Sequence, residues 1–144
     1  MEEKAIQVEY KFSKIEIGHF AIHEGNILPE DYNVQYNTEA QFMYDNNHHV
    51  LCSRIAVSAL QQDKSIMDSM LLCYFDINPD SIAKMTKEGK ITFPAPFLIQ
   101  LASLCYGTLR GVIHTKTEGT PLNHFILPPL YFHSVIKNDF IIVK

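Results

Sequence analysis

The side chains of this 144-residue sequence that could act as a nucleophile and a base are three cysteines and seven histidines. A catalytic cysteine needs a thiolate held beside a histidine. Cys73 and Cys105 both lie within apolar runs, where a free cysteine behaves as a small buried hydrophobe and burial raises the pKa of its thiol. There is also no GxSxG motif to place a serine nucleophile. We therefore predict no catalytic residue.

The three cysteines, Cys52, Cys73 and Cys105, are odd in number and far apart in the sequence. This pattern is typical of free thiols in a reducing compartment. We expect a cytoplasmic protein.

Metal ligands and paired carboxylates are equally scarce. His48 and His49 are adjacent in a predicted turn, and neighbouring side chains point apart too strongly to bind one ion easily. The sequence has neither a CxxC nor an HExxH motif. Asp68 and Asp76 lie on one predicted strand, which separates them by about 25 Å. We expect no metal site and no cofactor.

Composition indicates one globular domain over residues 1–144, because 47% of the residues are hydrophobic and 19% are charged. A net charge of −4 and the lack of a basic run argue against a nucleic-acid partner. The first residues are acidic and alternating, unlike a secretory signal. The longest apolar stretch, Ile91–His114, is interrupted by Gln100 and Arg110, so we expect no membrane insertion.

Alternating hydrophobicity predicts four strands in the first half of the chain. Ala5–His23 changes phase near Ser13–Lys14 and again at Gly18, which predicts a long strand with bulges. Polar turns separate the later strands, and this favours an antiparallel meander. The later strands are predicted over Asn33–Tyr44, His49–Leu60 and Ile66–Ile77.

Helical signals follow the strands. A short helical turn is predicted over Asp80–Met85, and two prolines that fit only a first turn predict a long helix over Pro94–Lys116. A shorter helix is predicted over Tyr131–Lys137, before an apolar tail. The predicted fold class is therefore α+β, with a four-stranded antiparallel sheet followed by a long helix and a shorter C-terminal helix.

Apolar surface is in excess, with nine Phe, seven Tyr and five Met. The long helix is apolar nearly all round, and the fourth strand is apolar on both faces in its second half. One side of such an element can pack on the core of its own chain, and its other apolar side must be buried by a partner subunit or a bound chain. Gly107 and Gly111 suggest close packing of the helix against a neighbour, so we expect a homo-oligomer.

The order of these elements resembles the SecB-type protein-export chaperones. The pieces that carry the resemblance are TFPAPFLIQLASLCYGTLRG, then GTP, then FILPPLYF, with MLLCYFDI similar to the last strand of that family. The resemblance covers about residues 5–137, and order and spacing carry it more than identities do.

The resemblance implies an ATP-independent holdase for unfolded polypeptide. It also implies a dimer of dimers with the long helices packed between the dimers, and grooves lined by aromatic and aliphatic side chains. Core packing is the alternative role for each groove residue. The client-binding residues would be Phe42, Tyr44, Phe93, Phe97, Tyr131 and Phe132. The oligomer interface would include Leu101, Leu104, Cys105, Gly107, Thr108 and Gly111.

Three departures argue against docking on the SecA export motor, which acidic family members serve. The tail Phe140–Lys144 is apolar and ends in a cation. Tyr74 stands where the last strand would carry an acid, and the early-strand acid falls at Ile15 or at Glu16.

Two other functions stay open on the same scaffold. One is a binding module for a dedicated partner, such as an unstable antitoxin, or for an apolar ligand. The other is a thioesterase of hot-dog type, which the four strands before the long helix count against.

Overall fold

A computed structural model describes residues 7–31 and 33–143 and confirms the predicted α+β fold. Its main feature is a four-stranded antiparallel sheet in the order β1-β4-β3-β2. Ala5 and Ile6, which the prediction included in the first strand, lie outside the described residues. The strands are β1 (Tyr10–Ile22), β2 (Gln35–Asp45), β3 (Val50–Gln61) and β4 (Lys64–Ile77).

The predicted meander holds for β2, β3 and β4, whereas β1 pairs with β4 and not with β2. The chain therefore crosses from one edge of the sheet to the other after β1. Gln61, at the end of β3, anchors this crossing and is 1% exposed. Its amide accepts from Leu28 N at 2.8 Å and donates to Leu28 O at 3.0 Å and Asp31 O at 2.7 Å. These bonds compensate its burial.

The two bulges predicted in β1 are confirmed. The pairing register with β4 shifts between Phe12 and Lys14 and again between Ile17 and His19, so Ser13 and Gly18 are the extra residues. Each bulge restores the alternation of side chains after a change of phase.

Helices α1 (Pro79–Met85) and α2 (Ala95–Lys116) are also close to the prediction. The side chain of Asn78 caps α1 by accepting from Asp80 N at 2.9 Å. Pro94 offers α2 no side-chain cap. Asp139 supplies one from the chain that follows α2, which we call the tail, and its Oδ1 accepts from Ala95 N at 2.8 Å.

The core lies between α2 and one face of the sheet, which we call the inner face. By length and composition α2 could cross a membrane, yet core helices pass the same test. Its apolar stripe packs on β3 and β4. The buried residues of α2 are Phe97, Leu98, Leu101, Ala102, Cys105, Tyr106, Leu109 and Ile113.

A second, smaller sheet has the order β5-β6-β7 and lies at the start of α2. Glu88 and Gly89, with φ of 53° and 75°, form the turn between β5 and β6. The apolar end of the tail forms β7, which pairs with β6. The strands are β5 (Thr86–Lys87), β6 (Lys90–Phe93) and β7 (Phe140–Val143).

The prediction of a helix over Tyr131–Lys137 is wrong. Only Phe132–Ser134 is helical, as a single 3₁₀ turn. So short a segment has little helical stability of its own. Phe132 is instead held in the core, and the residues that follow return to cap α2 and pair with β6.

Candidate polypeptide-binding surface

The inner face of β1 carries an exposed apolar row. The bulged register places Phe12, Ile15 and Ile17 opposite residues of β4 that are fully buried under α2. The three side chains are nevertheless 37%, 51% and 44% exposed. They lie on the same side of the sheet as the core, but the helix that covers the core does not cover them.

The position of α2 explains this exposure, because the helix crosses β3 and β4 and meets β1 only near its own start. The Tyr10 ring lies 5.5 Å from that of Phe97, and Gln100 Nε2 donates to the Tyr10 hydroxyl at 2.9 Å. Leu104 lies one turn beyond Gln100 on the same side of the helix and is 41% exposed. We call Phe12, Ile15, Ile17 and Leu104 the β1 strip.

The backbone of β1 is also accessible. In the part of the chain that the structure describes, β1 pairs only with β4, so its other edge has free N–H and C=O groups. Such an edge can accept an extended polypeptide as a further strand. The β1 strip thus combines exposed apolar side chains with unpaired backbone.

The inner face of β2 is covered instead. Tyr36, Ala40, Phe42 and Tyr44 pack against the core and are only partly exposed. The Tyr44 ring lies 5.0 Å from that of Phe93 at one end of the strand. Toward the other end, a cavity lined by Tyr36 is closed in by Leu122, Phe125 and Leu127 of the tail.

The six predicted client-binding residues do not form one surface. Phe93 and Phe132 are fully buried and Phe97 is 7% exposed, so in this structure all three are core residues. Phe42 and Tyr44 are half-buried on β2, whereas Tyr131 is 76% exposed on the tail.

The sequence prediction did not include Phe12, Ile15 and Ile17 among the binding residues. The signal was present, since two phase changes in an otherwise alternating strand mark the bulges. Their exposure depends on where α2 lies, which the pattern of β1 does not encode.

The predicted interface residues divide between the two sides of α2. Leu101 and Cys105 are fully buried against the sheet, so their assignment to an oligomer interface is corrected to core packing. Thr108 is half-buried, and Leu104, Gly107 and Gly111 are exposed. A Cβ added at either glycine would meet no heavy atom within 4 Å. The close neighbour predicted for these glycines is therefore not found among residues 7–31 and 33–143, and a neighbouring subunit stays a prediction.

The three cysteines are free and buried. The Cys105 thiol contacts the backbone oxygens of Ser53 at 3.5 Å and Leu71 at 3.8 Å. Burial raises the pKa of Cys52 to about 11. The hydrogen bond between the Cys73 and Cys105 thiols raises the pKa of Cys105 and lowers that of Cys73. All three thiols are nevertheless enclosed, and enclosed thiols are poor nucleophiles.

One polar cluster on the outer face of the sheet joins β3 and β4 to His23, the residue that follows β1. Asp68 accepts from His23 Nε2 at 2.9 Å, Ser58 Oγ at 3.0 Å and Ser65 Oγ at 3.0 Å. The hydrogen bond from His23 is the main reason that the pKa of Asp68 is lowered. Both serines bond to the carboxylate and not to the imidazole, so the cluster lacks the order of a Ser-His-Asp triad. It holds the end of β1 against β4.

The adjacent histidines His48 and His49 are not arranged to bind one metal ion. His48 Nδ1 lies 2.7 Å from Asp45 Oδ2, and His49 Nδ1 lies 3.1 Å from the Tyr44 hydroxyl, so the two rings have separate partners. Over residues 7–31 and 33–143, no group of three or more His, Cys, Asp or Glu side chains could hold an ion.

On the outer face beside Tyr74, the carboxylate of Glu16 is paired with a cation. The bulge places Glu16 opposite Leu72 on the outer face and leaves Ile15 on the inner face. Glu16 forms an ion pair with Lys14 at 3.0 Å, and the Lys14 ammonium lies 5.4 Å from the Tyr74 ring centre.

Comparison with known proteins supports the fold. No protein-family model and no curated protein matches the sequence. Among solved structures, it is similar to the SecB-like chaperone of Mycobacterium tuberculosis in complex with a ChAD peptide from the HigA1 antitoxin. The match has a TM-score of 0.51 at 15% identity and covers 85% of this chain and 84% of that one. The chain therefore has a SecB-like fold, as the resemblance in its sequence implied.

Proposed function

We propose that the protein is an ATP-independent chaperone that holds non-native polypeptide segments on the β1 strip. The observation that carries the proposal is the 13-residue edge strand β1, with its exposed apolar row beside Leu104. An extended segment would place alternate side chains on the row and pair its backbone with the free edge.

The energetics suit a holdase. Full burial of one large apolar side chain contributes about 1.5–3 kcal/mol. Phe12, Ile15 and Ile17 are already partly buried, so each contributes only a fraction of that amount. Backbone pairing does not depend on side-chain identity. Binding of this kind is moderate in strength and tolerant of sequence, as a chaperone for varied clients requires.

We further propose a cytoplasmic homo-oligomer, arranged as a dimer of dimers. The free thiols of Cys52, Cys73 and Cys105 fit a reducing compartment. The exposed, open surface around Gly107 and Gly111 would allow another helix to approach closely. A role in export through SecA is less well supported, because Glu16 is neutralised by Lys14 and Tyr74 replaces an acid.

A second candidate is a chaperone dedicated to one partner, such as an antitoxin. The observation in its favour is the peptide bound by the M. tuberculosis protein, which comes from an antitoxin. A dedicated chaperone would bind one partner saturably and would leave unrelated unfolded proteins to aggregate. A hot-dog thioesterase has less support, because six strands precede α2 and the thiols are enclosed.

The test is suppression of aggregation of a chemically unfolded protein, followed by light scattering. We expect suppression by the wild-type protein and its loss in the double variant Ile15→Asp/Ile17→Asp. Met43→Asp is the matched control, because Met43 is 47% exposed but lies on the outer face of β2.

The oligomeric mass of each variant is measured in parallel. An inactive wild-type protein, or a double variant as active as the control, would contradict the proposal. Loss of activity together with loss of the oligomer would assign the β1 strip to a subunit interface instead.

A further inference from the structure

A small cavity lies between the second half of α2 and the extended tail, away from the β1 strip. Its volume is about 180 Å³, room for roughly one large apolar side chain. It is lined by Arg110, Gly111, Ile113, His114, Phe125, Ile126 and Leu127. Ile113 and Leu127 are buried and form its apolar base, whereas Ile126 is 68% exposed at its border.

Arg110 gives this apolar cavity a fixed positive charge. Its Nε donates to Leu127 O at 3.0 Å, which holds the guanidinium beside the tail. Within the described residues its two terminal nitrogens have no hydrogen-bond partner, and no carboxylate forms an ion pair with it. Arginine presents such nitrogens as a planar fork that fits a carboxylate.

The surroundings reinforce this charge. Residues 110–127 contain two Lys or Arg and a single acid, Glu118, which is a net charge of +1 in a protein of net charge −4. Glu118 lies one turn beyond His114 and makes no ion pair with it or with Arg110 in the described chain. This part of the surface therefore favours an anionic ligand.

From the apolar base and the unpaired guanidinium, we infer that this cavity binds a client residue pair in which an apolar side chain adjoins a carboxylate. The inference rests on the proposed function and adds a preference among clients. The apolar side chain enters the cavity beside Ile113 and Leu127, and the neighbouring Asp or Glu pairs with Arg110. Acid-flanked apolar segments then bind more tightly than neutral ones.

The experiment measures fluorescence anisotropy with labelled synthetic peptides of sequence Ser-Gly-Leu-Glu-Val-Gly-Ser and its Gln and Lys counterparts. We expect the Glu peptide to bind about two- to fivefold more tightly than the Gln peptide, the range for a partly exposed ion pair. The Lys peptide should bind most weakly, and added salt should reduce the differences.

Two pairs of variants test the location. Arg110→Gln should abolish the preference for Glu, whereas Lys116→Gln removes one charge from the exposed end of α2, outside the cavity, and should keep it. Ile126→Asp should weaken binding of the Glu peptide about tenfold through lost apolar contact and repulsion. Val143→Asp is its control, since Val143 is 73% exposed on β7.

Folding of each variant is checked by its urea midpoint. Arg110→Lys covers the case in which Arg110→Gln loosens the tail, because it also lacks the Nε–H that donates to Leu127 O yet keeps the positive charge. It should retain the preference for Glu. The inference would be overturned if the wild-type protein bound the three peptides with equal affinity, or if a variant and its control lost the same amount of affinity. Either result would leave the proposed function standing. If no peptide binds and no client is protected, the proposed function fails with it.

Discussion

The β1 and β2 edges of the sheet both carry apolar rows on the inner face, and only the row of β2 is covered. On β2, Phe42 and Tyr44 are half-buried because the small sheet and the tail fold over that side. On β1, Ile15 and Ile17 are about half exposed because α2 diverges from the strand after Tyr10.

This difference is not a difference of residue type, since both rows are aliphatic and aromatic. It arises from where the chain after α2 returns. Tyr106 donates to Pro128 O at 2.6 Å and packs against Phe132, with ring centres 5.7 Å apart, so the tail is fixed on the β2 side of the helix. Residues of similar hydrophobicity are thus core at one edge and exposed surface at the other.

The largest effect is expected from removing the residue that anchors this cover. Phe132→Ala should lower the free energy of unfolding by about 3–5 kcal/mol, because a fully buried ring is lost and leaves a cavity. Urea unfolding measures the change, and binding of a hydrophobic dye should rise as the tail loosens from β2. Tyr131→Ala, at a position 76% exposed, should change stability by less than about 0.5 kcal/mol. Similar values for the two variants would show that the tail does not cover β2.

These two edges also show how far the sequence could predict the structure. Local patterns were sufficient for the bulges of β1, for the alternation of β2 and for the start of α2 after Pro94. They were insufficient for β7 because its partner β6 lies about fifty residues earlier, and a strand so paired is stabilised by distant contacts.

The binding residues were harder to predict for the same reason. Phe93, Phe97 and Phe132 look like groove residues by type, and tertiary packing places them in the core. Ile15 and Ile17 look like ordinary strand residues, and the limited cover of α2 leaves them exposed. Exposure is a property of the whole fold, so residue type alone could not separate groove from core.

A smaller effect is expected where the tail meets the start of α2. Asp139→Ala removes the carboxylate that accepts from Ala95 N and lies at the positive end of the helix dipole. Stability should fall by about 1 kcal/mol, which is typical of a lost N-cap. Asn138→Ala is the control, because Asn138 is exposed beside Asp139. An Asp139→Ala variant as stable as this control would mean that the tail is held on α2 without the cap.

The smallest effect concerns the end of β1 that the Asp68 cluster holds against β4. The pKa of Asp68 is lowered in the folded protein, chiefly by the hydrogen bond from His23. The cluster therefore contributes stability above the unfolded-state pKa of about 3.9, and this contribution is lost as pH falls through the lower folded-state pKa.

Asp68→Asn should consequently reduce stability at neutral pH by less than about 1 kcal/mol, since the side chain is 37% exposed and screened by solvent. The difference from wild type should shrink as the pH falls below about 4. Urea midpoints across this range measure it. Asp76→Asn is the control, on the same strand but outside the cluster. A difference that stays constant with pH would mean that the cluster holds β1 through packing and not through the charge of Asp68.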